Sequence, residues 1–286
     1  MATLNEVKRR IQSVRNTQKI TRAMKIVSAT KLKKHDRERK ASGLFSSKIT
    51  SVLTSTIQDS YHPKHPLLQG SGKVGNAGIV LVGSDRGLCG AFNANLFRKA
   101  QEYIEEQKHS KHVMLVTIGK RTYDFFRKSG HKILFFETNI EKQPRRAFAH
   151  TIAKKLVEHF LNGTVDKWSI ISNRFASRSS YGYSHDVLLP VTVEREGKRS
   201  DSLYICEDDL TTLVEYLVPQ YISDFIYKVI LESQTAEELS RMLAMDYATE
   251  NANELIADLT LFYNRTRQQV ITKELSEIVG GAEALK

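Results

Sequence analysis

Residues 4–27, LNEVKRRIQSVRNTQKITRAMKIV, decide the fold because their apolar side chains recur at helical spacing. The spacing alternates between three and four residues at Leu4, Val7, Ile11 and Val14. The same pattern resumes, shifted by one position, at Ile20, Met24 and Val27. A stripe this narrow is typical of a coiled-coil seam rather than of a helix in a globular core. Between residues 3 and 61 there is no proline and the only glycine is Gly43, which predicts one long amphipathic helix.

The other end of the chain predicts a second long helix. Pro219 suits the first turn of a helix, and Gly280 and Gly281 suit its end. Apolar residues recur between these limits, beginning with Ile222, Ile226 and Ile230. The carboxylates of this segment are expected to form a solvated acidic face: Glu232, Glu237, Glu238, Asp246, Glu250, Glu254.

Charge is distributed unevenly along the chain, whose formal net charge is +11. Residues 1–40 hold 13 Lys and Arg against 3 Asp and Glu, whereas residues 208–286 hold 6 against 14. Opposite charge on two narrow-striped helices predicts that they pack against each other.

Between the two helices, short β-branched runs alternate with helical patterns. GIVLV (78–82), HVMLVTIG (112–119), HKILFFE (131–137), WSIISNRF (168–175) and HDVLLPVTV (185–193) are predicted strands. The predicted fold class is therefore α/β, a long antiparallel coiled coil of N- and C-terminal helices with an inserted Rossmann-like domain. The expected divisions are 1–61 for the first helix, 62–207 for the α/β domain and 208–286 for the last helix.

The turn GSDRGLCGAFNAN (83–95) leaves two interpretations open. A glycine-bearing turn between a strand and a helix is where α/β folds bind phosphates. The spacing, however, matches neither of the established phosphate-binding patterns, and no acidic residue stands at the distance expected for a ribose. The alternative is a tight turn in which Gly87 and Gly90 supply backbone freedom, with Asp85 and Arg86 pairing locally or with a neighbouring protein.

Several other function classes are disfavoured by the sequence. No apolar run approaches the roughly 20 residues of a membrane span, and the N-terminus lacks the apolar core of a secretory signal. Cys89 and Cys206 have no metal-ligand or CxxC spacing, and the prolines around His62 and His65 favour a rigid turn over a metal site. No catalytic triad or metalloprotease pattern occurs.

The basic N-terminal segment leaves a nucleic-acid-binding coiled coil as a further alternative. Residues 1–40 contain no Phe, Tyr or Trp to stack on bases, and no recognised nucleic-acid motif. The acidic segment would also compete for the same basic face. The prediction is therefore a protein without a nucleic-acid partner.

Three segments together resemble one family, the γ subunits of F-type ATP synthases. They are IQSVRNTQKITRAMKIVSATKLKK (11–34), VGSDRGLCGAFNANL (82–96) and RMLAMDYATENANELIADLTLFYNRTRQQVITKELSEIVGGAEAL (241–285). The resemblance implies a central rotary shaft that couples ion-driven rotation of the membrane c-ring to ATP synthesis or hydrolysis at the catalytic β subunits. It implies no catalytic site and no cofactor in this chain. The paired-cysteine insertion of chloroplast relatives is absent, which favours a bacterial type.

The implied partners are the α and β subunits, the ε subunit, the c-ring and δ within the complex, with membrane contact only through that complex. The implied location is the cytoplasmic face of the bacterial cell membrane. By position, Arg22, Met24 and Lys25 face a moving acidic loop of β, where cations are favourable. The resemblance assigns the remaining contact residues as follows: Arg267, Gln268 and Thr272 to the catch region of β; Arg241 and Met242 to packing beside Met24; Asp85, Arg86, Gly87 and Tyr204 to the foot that meets ε and the c-ring.

Overall fold

The computed structural model describes residues 4–59, 65–68, 75–107, 112–177, 180–192 and 210–283. The elements follow one another along the chain as α1 Leu4–Asp59, β1 Ala77–Val82, α2 Phe92–Glu106, β2 Val113–Ile118, α3 Lys120–Phe126, β3 Lys132–Glu137, a 3₁₀ turn Ile140–Lys142, α4 Arg145–Leu161, β4 Lys167–Phe175, β5 Tyr181–Leu189 and α5 Leu210–Glu283. The predicted fold class is confirmed: two long terminal helices enclose, in sequence, a mixed sheet with helices. Three residues named above, Tyr204, Cys206 and His62, lie outside the described residues.

The chain divides into two compact units. The helix-pair unit consists of Met1–Ala29 and Arg241–Lys286, and the sheet unit consists of Thr30–Ser240. Both α1 and α5 contribute residues to each unit.

The sheet unit is built on five strands in the order β3-β2-β1-β4-β5. β1 pairs in parallel with β2 and β4, and β2 in parallel with β3, whereas β5 runs antiparallel to β4. The prediction of a mostly parallel sheet is thus confirmed. β1 is buried along its whole length, as expected for a central strand covered on both faces.

Two apolar cores cover the faces of this sheet. On one face, α2 and α3 pack their apolar side chains on Ile79, Leu81 and Leu115. On the other face, α4 and the first part of α5 pack on Val80, Val116 and neighbouring strand residues. The α5 residues in this core, spaced four apart, are the ones that the sequence indicated: Ile222, Ile226, Ile230.

Trp168 of β4 shows why one glycine of β1 is required. Its indole Nε1–H donates to the Leu156 carbonyl at 3.1 Å, and its ring lies against Gly78. A Cβ atom at Gly78 would lie 2.4 Å from that ring, closer than real Cβ contacts. Glycine at residue 78 therefore lets α4, β4 and β1 pack closely.

The proline and glycine signals predicted both ends of α5 wrongly. The helix begins at Leu210, so Pro219 lies inside it rather than in its first turn. The carbonyl that Pro219 leaves without an N–H donor belongs to Glu215, an exposed residue, so water can replace that donor. Gly280 and Gly281 do not end the helix either, since it continues to Glu283.

The second half of the α1 stripe was also predicted on the wrong face. Ile20 and Val27 are 60% and 56% exposed, whereas Thr21 and Ser28 are buried. Polar side chains thus occupy the positions of α1 that face α5 within the helix-pair unit. The periodicity of apolar residues does not identify these positions.

Candidate subunit-contact surfaces

In the helix-pair unit, α1 and α5 run antiparallel and are joined by polar contacts. Lys25 Nζ lies 2.5 Å from Asp246 Oδ1, and the Thr21 and Thr249 hydroxyls lie 2.8 Å apart. The Gln18 side-chain amide donates to Asn253. The ion pair is about 40% exposed on both sides, so it contributes on the order of 0.5 kcal/mol. The predicted attraction between a basic and an acidic helix is thus seen between Lys25 and Asp246.

The residues assigned to β contact in α1 differ in exposure. Arg22 is exposed, whereas Met24 and Lys25 are half-buried beside α5. Of the residues assigned to packing, Arg241 is 5% exposed and Met242 is half-buried. One turn of α1 therefore directs Arg22 outward and its neighbours Met24 and Lys25 toward the seam.

The residues assigned to the catch region lie at the end of α5. At the register set by the three polar contacts, the start of α1 at Leu4 lies opposite residues 266–267. The remainder of α5 extends past that start, and Arg267, Gln268 and Thr272 are exposed there. The same segment exposes large apolar side chains by 36% to 67%: Val270, Ile271, Leu275, Ile278, Val279. A cluster of exposed apolar side chains of this kind marks an interaction surface.

In the sheet unit, Asp85 joins three loops at the carboxyl edge of the sheet. Its Oδ1 accepts the backbone N–H of Lys120 at 3.0 Å, and its Oδ2 accepts that of Ile140 at 3.0 Å. These are the loops that follow β2 and β3, while Asp85 itself follows β1. The structure therefore gives Asp85 partners within its own chain, in agreement with the interpretation of a tight turn with local pairing.

The rest of this turn is held by side chains from α2 and α5. Asn93 donates to Ser84 Oγ at 2.7 Å and to Cys89 Sγ at 3.3 Å, and Ser240 Oγ donates to the Cys89 carbonyl at 2.6 Å. Gly90 has the positive φ expected of it, at 55°. The other left-handed residue is Leu88, at 61°, rather than Gly87, so the prediction for Gly87 was wrong.

Arg86 begins a polar network that sequence reasoning missed. Its guanidinium lies 3.2 Å from Glu141, which also accepts from Lys31 Nζ at 2.8 Å and 2.9 Å. Lys31 in turn lies 3.8 Å from Glu238. The sequence hint was available in the very polar stretch KLKKHDRERK (31–40), where Lys31, His35 and Glu38 share one helix face.

The prediction of a solvated acidic face on α5 was wrong for two members. Glu232 is 9% exposed and pairs with Arg174 at 2.7 Å, while Glu238 is 3% exposed. Glu250 and Glu254 are exposed as expected. Both buried carboxylates lie within the sheet unit, where the cations Arg174 and Lys31 offset the cost of removing them from water.

His35 lies in the same network and is 3% exposed. Burial, with a smaller contribution from the nearby Arg145 guanidinium, lowers the pKa of His35 from 6.5 to about 4. His35 is consequently neutral at pH 7 and accepts or donates hydrogen bonds without adding a charge.

Among the described residues, His, Cys, Asp and Glu side chains do not gather in groups of three or more that suit a metal ion. No described helix combines the length and apolarity needed to cross a membrane.

Comparisons with known proteins match the whole chain. The family described as ATP synthase matches residues 3–285. An ATP synthase gamma chain from Chlorobium phaeobacteroides (strain DSM 266 / SMG 266 / 2430) is 39% identical over 290 residues, with all of both chains covered. Another, from Halothermothrix orenii, is 39% identical over 293 residues, again with all of both chains covered.

Solved structures show the same fold. A chain of the Euglena gracilis mitochondrial ATP synthase (OSCP/F1/c-ring, rotational state 3) aligns with a TM-score of 0.67 at 19% identity, covering 99% of this chain and 94% of that one. A chain of the central stalk/c-ring of the Tetrahymena thermophila mitochondrial ATP synthase aligns with a TM-score of 0.60 at 22% identity, covering 80% and 99%.

The fold is thus that of ATP synthase central-stalk chains. Because the family and its relatives match from end to end, the chain belongs to the ATP synthase gamma chain family. The predicted role of central rotary shaft of the synthase is confirmed by this membership.

Proposed function

We propose that the chain couples rotation of an ion-driven c-ring to the catalytic β subunits through two separate surfaces. The helix-pair unit enters a hexamer of α and β subunits, and the sheet unit meets ε and the c-ring, with δ elsewhere in the complex. In this proposal the chain has no catalytic site, no cofactor and no nucleic-acid partner. It works at the cytoplasmic face of a bacterial membrane, which it contacts only through the complex.

The observation that carries the proposal is the end of α5. The last part of the helix extends past the start of α1 and exposes apolar side chains that include Ile271 and Ile278. Exposed apolar surface on a helix end is unfavourable in water and favourable inside a close-fitting sleeve. A surrounding hexamer supplies such a sleeve.

Residue roles follow the same division. The mobile acidic loop of β is contacted by Arg22, Met24 and Lys25. The catch region of β is contacted by Arg267, Gln268 and Thr272. Arg241 and Met242 keep the helices packed beside Met24. Asp85, Arg86, Gly87 and Tyr204 serve the contact with ε and the c-ring. As functional segments, we retain 1–61, 62–207 and 208–286.

Washing membranes of the source organism with low-salt EDTA tests the assignment of partners. The chain should be released together with α and β in one complex. Recovery of the chain by itself, with no hexamer, would refute the proposal.

A matched pair of charge reversals tests the contact assigned to α1. Arg22→Glu should lower ATP synthesis in inverted vesicles, because it replaces an outward cation near an acidic loop. Arg15→Glu, at another exposed arginine of the same helix, serves as the control. Equal rates for the two variants would remove Arg22 from the β contact.

A further inference from the structure

Arg145, the first residue of α4, binds both long helices at once. Its Nε donates to Gln234 Oε1 of α5 at 2.7 Å, and its Nη1 lies 2.5 Å from Glu38 Oε2 of α1. Its Nη2 lies 3.4 Å from His35 Nε2, also of α1. One guanidinium that is 17% exposed therefore connects α4, α1 and α5 within the sheet unit.

A second cation makes a parallel connection. Lys31 of α1 binds Glu141, in the 3₁₀ turn after β3, through both carboxylate oxygens at 2.8 Å and 2.9 Å. It also lies 3.8 Å from Glu238 of α5. Arg86, in the loop after β1, completes this connection by pairing with Glu141 at 3.2 Å.

The two connections use one face of each long helix. Lys31, His35 and Glu38 are spaced at i, i+4 and i+7 on α1, and Gln234 and Glu238 are spaced at i and i+4 on α5. The loops and the helix that they bind all belong to the sheet-bearing part of the same unit. Both connections therefore join the sheet-bearing part of the unit to one face of α1 and one face of α5.

Stability alone does not account for this arrangement. Removing charged and polar groups from water is costly, and a buried ion pair is often no more stabilising than apolar residues of similar size. Apolar contact is non-directional, so it resists separation of two surfaces better than it resists their sliding. Charge-assisted hydrogen bonds from a planar guanidinium fix direction as well as distance.

We propose that the torque joint, defined as Lys31, His35, Glu38, Glu141, Arg145 and Gln234, holds the α/β sheet in fixed rotational register with α1 and α5. Torque delivered to the sheet then passes to both helices through Arg145 and Lys31. This inference rests on the proposed rotary function and adds to it the residues that carry torque inside the chain.

Single-molecule rotation of the assembled complex tests the joint. The hexamer is fixed to a surface, and a bead is attached through Asn95→Cys, an exposed position on α2. Cys89 is buried and Cys206 is replaced by serine, so that labelling is confined to residue 95. The width of the bead's angular distribution during each pause reports the torsional stiffness of the rotor.

Charge swaps give the expected pattern. Glu38→Arg and Arg145→Glu should each raise the angular variance by up to about twofold, because each replaces the attraction between these two side chains with a repulsion and leaves the Lys31–Glu141 connection to hold α1. The double swap restores the pair and should return the variance toward the original value. Arg98→Glu, at an exposed arginine of α2, should leave it unchanged. ATP hydrolysis at saturating ATP should stay the same in all of these variants.

Each outcome has a distinct meaning. Rotation of the unmodified complex with unchanged variance in both single variants would overturn the torque joint and leave the rotary function intact. Failure of the unmodified complex to rotate would overturn the rotary function itself. If either single swap does not fold, Glu38→Met/Arg145→Met, which leaves no unpaired charge at this pair, provides the same comparison.

Discussion

At the scale of single residues, Asp85 and His35 show how a side chain acquires a role from its surroundings. Asp85 was predicted as a contact residue or a local partner, and the structure uses both of its carboxylate oxygens inside the chain. His35 carried no prediction, yet burial lowers its pKa from 6.5 to about 4. Neither outcome can be read from residue type, because both depend on neighbours distant in sequence.

Replacing Asp85 should destabilise the sheet unit. Asp85→Ala leaves the N–H groups of Lys120 and Ile140 without this acceptor, at a cost of about 3 kcal/mol. Asp85→Asn keeps one acceptor oxygen and should lose about half of that. Urea unfolding of the full chain measures the difference, with Asp124→Ala on α3 as the control. Equal stability of Asp85→Ala and Asp124→Ala would contradict this role.

His35 should make stability depend on pH. Since its pKa falls from 6.5 to about 4 on folding, the unfolded chain binds more protons between these values. The stabilisation that comes from keeping His35 neutral is therefore fully present above pH 6.5. As the pH falls from 6.5 toward 4, the free energy of unfolding decreases by about 3 kcal/mol in total.

A comparison with His35→Gln separates the effect of His35 protonation from that of the carboxylates, which also titrate as the pH falls. Over the interval from pH 6.5 to 4, the variant should gain stability relative to the original chain, as measured by urea midpoints at several pH values. A constant difference between the two chains across that interval would show that His35 is not the titrating group.

At the scale of elements, the helix pair is held by a polar seam whose register the sequence did not reveal. The Thr21 and Thr249 hydroxyls lie within hydrogen-bond distance of each other, and each is also within reach of a carbonyl of its own helix, so their two protons are shared among three acceptors. Apolar periodicity placed Ile20 and Val27 in the seam because threonine and serine carry no apolar signal. A buried hydroxyl pair is favourable only when both partners are present.

A double-mutant cycle on this pair has a definite expectation. Thr21→Val should cost about 1 kcal/mol because the Thr249 hydroxyl loses its contact across the seam and keeps only the Met245 carbonyl, whereas Thr21→Val/Thr249→Val should be close to neutral. Hydrogen exchange of the seam amides in the full chain measures this. Thr17→Val is the control, since its hydroxyl bonds only within α1 on an exposed face. Additive effects would show that the hydroxyls are not coupled.

Pro219 offers a second test at this scale. A proline inside a helix is about 3 kcal/mol less favourable than alanine, and Pro219 lies on an exposed face of α5. Pro219→Ala should therefore slow hydrogen exchange across residues 215–221, while the exposed neighbour Gln220→Ala should change it little. Faster exchange in Pro219→Ala would indicate that the proline stabilises a bend that the helix needs.

At the scale of the whole molecule, the α/β fold does not have the nucleotide site that the turn after β1 suggested. The carboxylate of Asp85 accepts backbone N–H groups at the sheet edge where a phosphate would bind in a doubly wound fold. A second anion placed there would be repelled by that carboxylate.

Calorimetric titration of the full chain with ATP and with NAD should consequently give no saturable heat. The same titration of the assembled complex with ATP provides the positive control, since catalytic sites are proposed on β. Saturable binding by the isolated chain would reopen the interpretation of an independent nucleotide site.

The sequence by itself determined the two long helices, the order of strands and helices between them, and the family. Each of these depends on local periodicity or on a contiguous motif, so no distant residue is needed to infer it. GIVLV is one example: five consecutive apolar or glycine residues predict a central strand wherever the chain places it.

Only the tertiary structure decided which polar residues are buried and what they bind. Contacts between residues far apart in the chain decide the seam at Thr21 and the pairings of Glu232 with Arg174, of Lys31 with Glu141 and of Glu38 with Arg145. The physical reason is that a polar side chain is buried only where a partner satisfies it, and the partner's position is a property of the fold.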